Sequence, residues 1–395
     1  MRDPHLSLRV LGRAGLSLAV VGLLLGGCDG GTSPAPTTPT AEAEPIFVFH
    51  EVLTEASDAF DFDNGEFHDD FGDGAFFGVG FYVRSARDLE HMAHDQRAQA
   101  ANDYNVGVLK TAAADPLGML DILEEVFMAT LGAIEYAGVS GDHAALPTIQ
   151  EVIDVMDAFA GGLGDYLEIS AGDFALDLYG PTSSTAGLAL IHLQHAHFLT
   201  ERRDHHITRG KELVAAIDAK AWDADKGLYR YRPEVEDLYL YPNATMMTVL
   251  ARLHQLTGDD AYKVKIDTVF AGIAPLRKST GYYQSPYSQA YQGAQTDEYG
   301  TLSAQNYLTL GLLIAYETTG EATYFDEAIV ILDFVRDHLW DEAVGKLLHH
   351  WIDGRAATTD DPDYFCSGCN MQYLYIAHYL KHTMGWEGGA DRSAP

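Results

Sequence analysis

Short polar turns recur along this chain at a near-constant interval, and a chain built that way stacks similar units instead of folding around one sheet. The turns are Ser85-Ala-Arg-Asp88, Ser140-Gly-Asp142, Thr200-Glu-Arg202, Thr257-Gly-Asp259, Thr319-Gly-Glu321 and Thr383. Their starts are 55, 60, 57, 62 and 64 residues apart. The closest pair is Thr257-Gly-Asp-Asp-Ala-Tyr262 and Thr319-Gly-Glu-Ala-Thr-Tyr324. A second echo joins Trp222-Asp-Ala-Asp-Lys-Gly-Leu228 to Trp340-Asp-Glu-Ala-Val-Gly-Lys-Leu347. Both read as short β-hairpins.

Each unit holds two helical stretches. The one before the turn is apolar on most sides, as in residues 185–199, 244–256 and 304–317. The one after it is amphipathic. In residues 324–340, Phe325, Ala328, Ile329, Leu332, Val335 and Leu339 repeat at helical spacing. A helix apolar all round is buried all round, and a helix with one apolar stripe lies outside it. The expectation is an inner and an outer ring. Inner helices fall near 74–84, 116–137, 184–199, 243–256, 302–317 and 369–382. Outer helices fall near 87–102, 146–163, 205–222, 259–275 and 323–340. Residues 46–60 supply the outer partner that the last inner helix lacks, making twelve helices in six hairpins.

A ring of six such hairpins, carrying the "LTGD…Y" turn and the "WDxxxGxL" hairpin, resembles the six-hairpin glycosidase superfamily. The echo is similar to toroids of the N-acylglucosamine 2-epimerase type and to the helical C-terminal region of YyaL-like proteins. The resemblance implies an all-α (α/α)6 toroid over residues 46–385, with short β-hairpins after some outer helices. Members of that superfamily include hydrolases, lyases, epimerases and inactive relatives, so fold alone does not fix the reaction.

Ahead of the repeats, Arg2, Arg9 and Arg13 precede an apolar and glycine run over 16–27. The run is too short for a permanent membrane span and fits a signal-peptide core. Leu25-Gly26-Gly27-Cys28 resembles the bacterial lipobox, which implies a lipid on Cys28, a bilayer anchor and a cell-envelope location outside the cytoplasm. Residues 28–45 lack the apolar side chains to bury a core and read as a disordered tether; residues 386–395 read as a disordered tail. The whole chain has 25 basic and 58 acidic residues. Removing residues 1–27, with three Arg and one Asp, leaves a net charge of −35. Phosphate polyanions are repelled by such a surface, so nucleic acid is not an expected partner.

The loops ahead of four successive inner helices pair acids with tyrosine: Asp177-Leu-Tyr179, Asp237-Leu-Tyr239, Asp297-Glu298-Tyr299 and Asp363-Tyr364, with Asp361 adjoining the last. In an α/α ring these loops meet at one mouth. Two carboxylates there can act as acid and base, or acid and nucleophile, on a glycosidic bond. Tyrosine rings can stack on sugar faces, and Asn243, Asn306 and Asn370 follow as candidate substrate ligands. The same acids and amides can instead cap helices. The reading is therefore a monomeric, glycan-active lipoprotein, a glycoside hydrolase acting on an oligo- or polysaccharide. The alternatives are a non-catalytic glycan-binding or scaffold protein and an epimerase-like toroid, which would use histidines.

Cys366 and Cys369 suit a local disulfide in an oxidising compartment; zinc would need soft partners such as His349, His350 or His378. Asp61-Phe-Asp63-Asn-Gly65-Glu66 departs from the EF-hand pattern, and His192, His195 and His197 read as polar core groups not sharing one face. No metal or cofactor is expected. No GxGxxG, P-loop lysine, G-x-S-x-G or HExxH occurs.

Overall fold

The computed structural model describes residues 60–61, 66–67, 96–119, 123–162, 180–232, 239–285, 299–341, 346–352, 354–358, 366–380 and 384–386. All belong to one compact unit, Glu44–Pro395. The helices are α1 Gln96–Ala114, α2 Pro116–Met119, α3 Leu123–Ser140, α4 Leu146–Gly162, α5 Gly180–Phe198, α6 Arg203–Ala221, α7 Leu240–Thr257, α8 Asp260–Ile273, α9 Leu302–Thr319, α10 Ala322–Leu339 and α11 Ser367–His378. Helices α3, α5, α7, α9 and α11 each pack against the next in that order, and α4, α6, α8 and α10 each pack on the inner helix that precedes them. This is the two-layer ring of an (α/α)6 toroid. The inner helices fill the core: α9 is buried continuously from Leu302 to Ala315, whereas α8 buries only Ile266, Val269 and Ile273. Among the described residues no helix is long and apolar enough to cross a membrane.

The repeated turn has a physical cause. Gly141, Gly258 and Gly320 take φ of 72°, 68° and 72°, a region where a Cβ clashes and glycine does not. Each glycine N–H closes the inner helix onto a carbonyl, of Ala137, His254 and Tyr316. The Ser or Thr before it donates its hydroxyl back into the helix and accepts the N–H of the acid after it, as Thr257 does from Asp259 at 3.2 Å. Ahead of α8 the acid then caps the next helix, Asp259 accepting the Ala261 N–H; Asp142 accepts the Ala144 N–H in the turn before α4, and Glu321 makes no side-chain cap. At the third turn Arg202 occupies the left-handed region with φ 53° and ψ 24°.

Both expected hairpins form. Strand β3 (Trp222–Asp223) pairs with β4 (Leu228–Tyr229), and β6 (Trp340–Asp341) pairs with β7 (Lys346–Leu347). A sheet not expected from the sequence joins β5 (Tyr299–Thr301), β8 (His350–Ile352) and β9 (Arg355–Ala356). Upstream, β1 (Phe60–Asp61) pairs with β2 (Glu66–Phe67), so the acidic segment that departs from the EF-hand pattern is bracketed by a hairpin.

The first described hairpin departs from expectation. The described outer helix runs on to Ala114 where the expectation ended near 102, and the next inner stretch, expected near 116–137, is helical over Pro116–Met119 and Leu123–Ser140. Asp115 ends the first by accepting the Gly118 N–H ahead of Pro116. The stripe that α1 buries includes Asn102 and Asn105, so the usual apolar periodicity is interrupted. The expected inner helix near 74–84, the ring-closing segment 46–59 and Thr383 lie outside the described residues, as do residues 1–45 with Cys28.

Candidate functional site

The inner helices begin at a common end. The Thr182 N–H on α5 reaches the Tyr231 carbonyl ahead of α7, and the Leu302 N–H on α9 reaches the His349 carbonyl ahead of α11. Tyr241, in the first turn of α7, and Tyr307, in the second turn of α9, meet edge to face at 4.4 Å. Asn306 donates to the Cys369 carbonyl at 2.8 Å, joining the first turns of α9 and α11. The mouth of the ring is therefore at the helix N-termini.

Asn243 and Asn370 do not line it. Asn243 accepts the Tyr229 N–H at 2.7 Å and donates to the carbonyls of Tyr229 at 2.9 Å and Tyr239 at 2.8 Å. Asn370 repeats this on Leu347, at 2.9 and 3.0 Å, and on the Cys366 carbonyl. Gln305 does the same to Tyr283. Each is the fourth residue of its helix and clamps the strand that follows an outer helix. Their expected role as sugar ligands is replaced by a structural one, because every polar atom of Asn243 and Asn370 is engaged with backbone. Asn306 differs: its Oδ1 has no hydrogen-bond partner.

The clamps orient the rest of the wall. Two residues along a helix is about 200° of rotation. If position four faces the outer ring, positions two and six face the axis. Those positions hold Tyr241 and Thr245 on α7, Ser303 and Tyr307 on α9, and Gln372 on α11. The Tyr241–Tyr307 contact agrees with this placement. Gln372 is fully buried, and neither its Oε1 nor its Nε2 has a partner; Thr182 and Ser183 at the start of α5 also carry unpartnered buried hydroxyls.

The three-stranded sheet adds a rim. Trp351 faces the outer side, packing on Phe334 and His338 of α10. Alternation along a strand turns His350 the other way. There the Tyr299 hydroxyl lies 2.9 Å from His350 Nδ1, both residues being buried. Gly300 between them leaves room for Tyr282, whose ring a Cβ would meet at 2.9 Å. The partner across the sheet was not visible in sequence, although the adjacent His349-His350 was.

Of the expected tyrosines, Tyr299 holds this rim position and Tyr239 packs edge to face on Tyr231 at 4.8 Å. Asp177, Asp237, Asp297, Glu298, Asp361, Asp363, Tyr179 and Tyr364 lie outside the described residues. Cys366 and Cys369 form a disulfide at the start of α11. His349 has a ring nitrogen within 4.8 Å of both sulfurs, the one potential metal group among the described residues; with the sulfurs joined to each other, they are not free thiolates.

Toward the turn end of α7, α9 and α11, charged groups interlock. Tyr379 donates to Glu317, which lies 3.7 Å from Arg252. Burial, with Glu317 beside it, holds the Tyr379 hydroxyl far above its usual range. Between the rings sits a histidine cluster. His192 Nδ1 is 2.9 Å from His206 Nδ1, and His192 Nε2 is 3.3 Å from Asp157. His195 stacks on His206 at 3.8 Å. His192 and His195, one helical turn apart, thus do share a face, and their common partner comes from the next helix.

No family model matches the chain, and no curated protein matches it by sequence. Solved structures match in fold. A sugar epimerase from a ruminal bacterium superposes with TM-score 0.61 at 12% identity, covering 84% of this chain and 98% of that one. A D-mannose isomerase superposes with TM-score 0.58 at 13% identity, covering 89% and 100%. The GH76A α-1,6-mannanase from Salegentibacter sp. HEL1_6 superposes with TM-score 0.61 at 11% identity, covering 85% and 98%. The chain is thus an (α/α)6 toroid, similar in fold to a sugar epimerase, a mannose isomerase and an α-mannanase.

Proposed function

We propose that the chain is an extracytoplasmic lipoprotein, anchored through Cys28, that acts on glycans at the mouth of its toroid as a glycoside hydrolase. The observation that carries the reading is the wall built there: aromatic and uncharged polar side chains from α7, α9 and α11, facing one axis beside Tyr299 and His350. Such a wall suits a hydroxyl-rich, uncharged surface better than an apolar ligand. The reacting carboxylates would be a pair drawn from Asp177, Asp237, Asp297, Glu298, Asp361 and Asp363. Each lies just upstream of an inner helix whose first turn is at the mouth. One would protonate the leaving oxygen while the other activates water or attacks the anomeric carbon. Toroids similar in fold include an inactive variant of the α-1,6-mannanase in complex with α-1,6-mannotriose.

The test is release of reducing ends from a panel of oligosaccharides by the mature protein, followed by Asp→Asn or Glu→Gln at each of the six acids. One or more variants should lose turnover at unchanged melting temperature. No turnover on any glycan would refute the hydrolase reading.

A second reading, sugar epimerisation or isomerisation, is favoured by the Tyr299–His350 pair. An imidazole paired with a hydroxyl can remove and return a proton next to a carbonyl or hemiacetal carbon. Incubation of free sugars in deuterated water separates the two: carbon-bound deuterium in product marks isomerisation, and hydrolysis introduces none.

A further inference from the structure

Buried polar groups in folded proteins are hydrogen-bonded to protein, water or ligand, because leaving them bare is costly. Among the described residues several buried side chains of the inner helices depart from that rule, and two of them lie where α9 meets α11. Gln372 on α11 is fully buried with neither its amide nitrogen nor its amide oxygen partnered, and Asn306 on α9 keeps an unpartnered Oδ1 at 1% exposure. Asn306 is tethered by its other end to the Cys369 carbonyl. Its open oxygen is therefore fixed near the first turn of the helix that carries Gln372.

The rest of the wall has a definite chemistry. Tyr241 and Tyr307 sit edge to face, and Tyr241 is only half-buried. Thr245 and Ser303 complete the inward positions of the first two turns on α7 and α9. None of these side chains carries a charge, and the chain as a whole is strongly anionic at −33. A carboxylated sugar brought here would lose its hydration, and none of these side chains is a cation that could replace it. A neutral sugar presents vicinal hydroxyls, each both donor and acceptor, and an apolar ring face. An amide with two donors and an acceptor can bond two such hydroxyls at once, while a tyrosine edge-to-face pair offers a flat face to the ring.

We propose that these side chains form a subsite for an uncharged pyranose, with Gln372 reading its hydroxyls and Tyr241 and Tyr307 lying against its ring. The inference rests on the glycan-active reading above and narrows it to neutral sugars over uronates. Gln372 is a binding residue that sets specificity; it is not placed in the reacting pair.

The test uses the mature protein, isothermal titration calorimetry and two oligosaccharide sets, one neutral (gluco-, manno- and galacto-configured) and one containing uronates. Gln372→Leu is close in volume, and removing an unpartnered buried amide should leave thermal stability equal or raise it. The expected result is that a neutral set member binds and that Gln372→Leu and Tyr241→Ala each weaken it at least about tenfold. If neutral sugars bind and both variants bind equally well, the subsite is wrong while the glycan reading stands. Tighter binding of uronates than of neutral sugars has the same meaning. A large loss of stability in Gln372→Leu would show the amide to be structural and overturn the proposal. Binding of neither set overturns the subsite and the glycan reading together.

Discussion

Replacing Asn243 by alanine tests whether the position-four amides hold the ring together or wait for a ligand. Asn243 is fully buried and makes three hydrogen bonds of 2.7–2.9 Å to backbone groups of Tyr229 and Tyr239. Truncation strips one N–H and two carbonyls of that partner in a place closed to solvent. At about 1–3 kcal/mol for a buried group left unsatisfied, and less for carbonyls with a second lone pair in use, the loss should be about 3–5 kcal/mol. That is a large share of the roughly 5–15 kcal/mol that holds a typical protein folded. Urea titration followed by far-ultraviolet circular dichroism reads it as a fall in midpoint at constant slope. Asn370→Ala should behave alike, since its bonds to Leu347 and Cys366 have the same pattern. Asn306→Ala, which loses one bond to Cys369, should lose only about 1 kcal/mol. If Asn243→Ala falls by less than about 1 kcal/mol while glycan binding collapses, the clamp argument is wrong and the amide is a sugar ligand.

Three further outcomes are expected. Burial and neighbouring imidazoles lower His195 to about 4 and His206 to about 2. The unfolded chain then binds the extra protons, so stability is full above about pH 6.5 and falls as the pH drops toward 4; from pH 7.5 to 5 each imidazole accounts for about 2 kcal/mol. Asp157, Arg209, His192, His205, Arg202 and Glu201 surround them, so melting curves of His195→Phe against wild type across that range isolate its share; parallel curves would contradict the argument. Arg202→Gly should raise stability by about 0.5–1 kcal/mol, the relief of a left-handed residue less the added freedom of the unfolded chain, and a lower melting temperature would count against it. Gly311→Ala would set a Cβ 2.9 Å from the Ala244 carbonyl oxygen where α9 crosses α7; a loss of about 1–3 kcal/mol in chemical denaturation is expected, and no loss would mean that the two helices part easily.

The ring was legible because its turns repeat a chemical solution. A hydroxyl, a left-handed glycine and an acid recur at 140–142, 257–259 and 319–321, and at each the hydroxyl and the glycine close the end of the inner helix. The hairpins at Trp222 and Trp340 were legible for the same reason. The start of the described ring was not, since α1 buries Asn102 and Asn105 where a periodic reading looks for aliphatic residues. The site was harder. Asparagine early in a helix is compatible with capping, ligand binding or a clamp, and only the strand it meets distinguishes them. Gln372 carries no local mark at all; its interest comes from being surrounded without being bonded. His206 escaped notice because its partners are on another helix, and so did the Tyr299–His350 contact, made across 51 residues.

The position-four clamps carry a consequence for how such a ring could diversify. Each fixes the rotation of its inner helix by gripping a strand behind it, and Asn243 and Asn370 also hold the carbonyl just ahead of their helices, of Tyr239 and Cys366. Chain further upstream than those anchoring residues can therefore lengthen, shorten or be exchanged by recombination without rotating the helices. The scaffold separates inheritance of shape from variation of specificity, so grafting a foreign segment in place of residues 233–238, upstream of the clamped Tyr239, should preserve folding while changing which ligand the mouth admits.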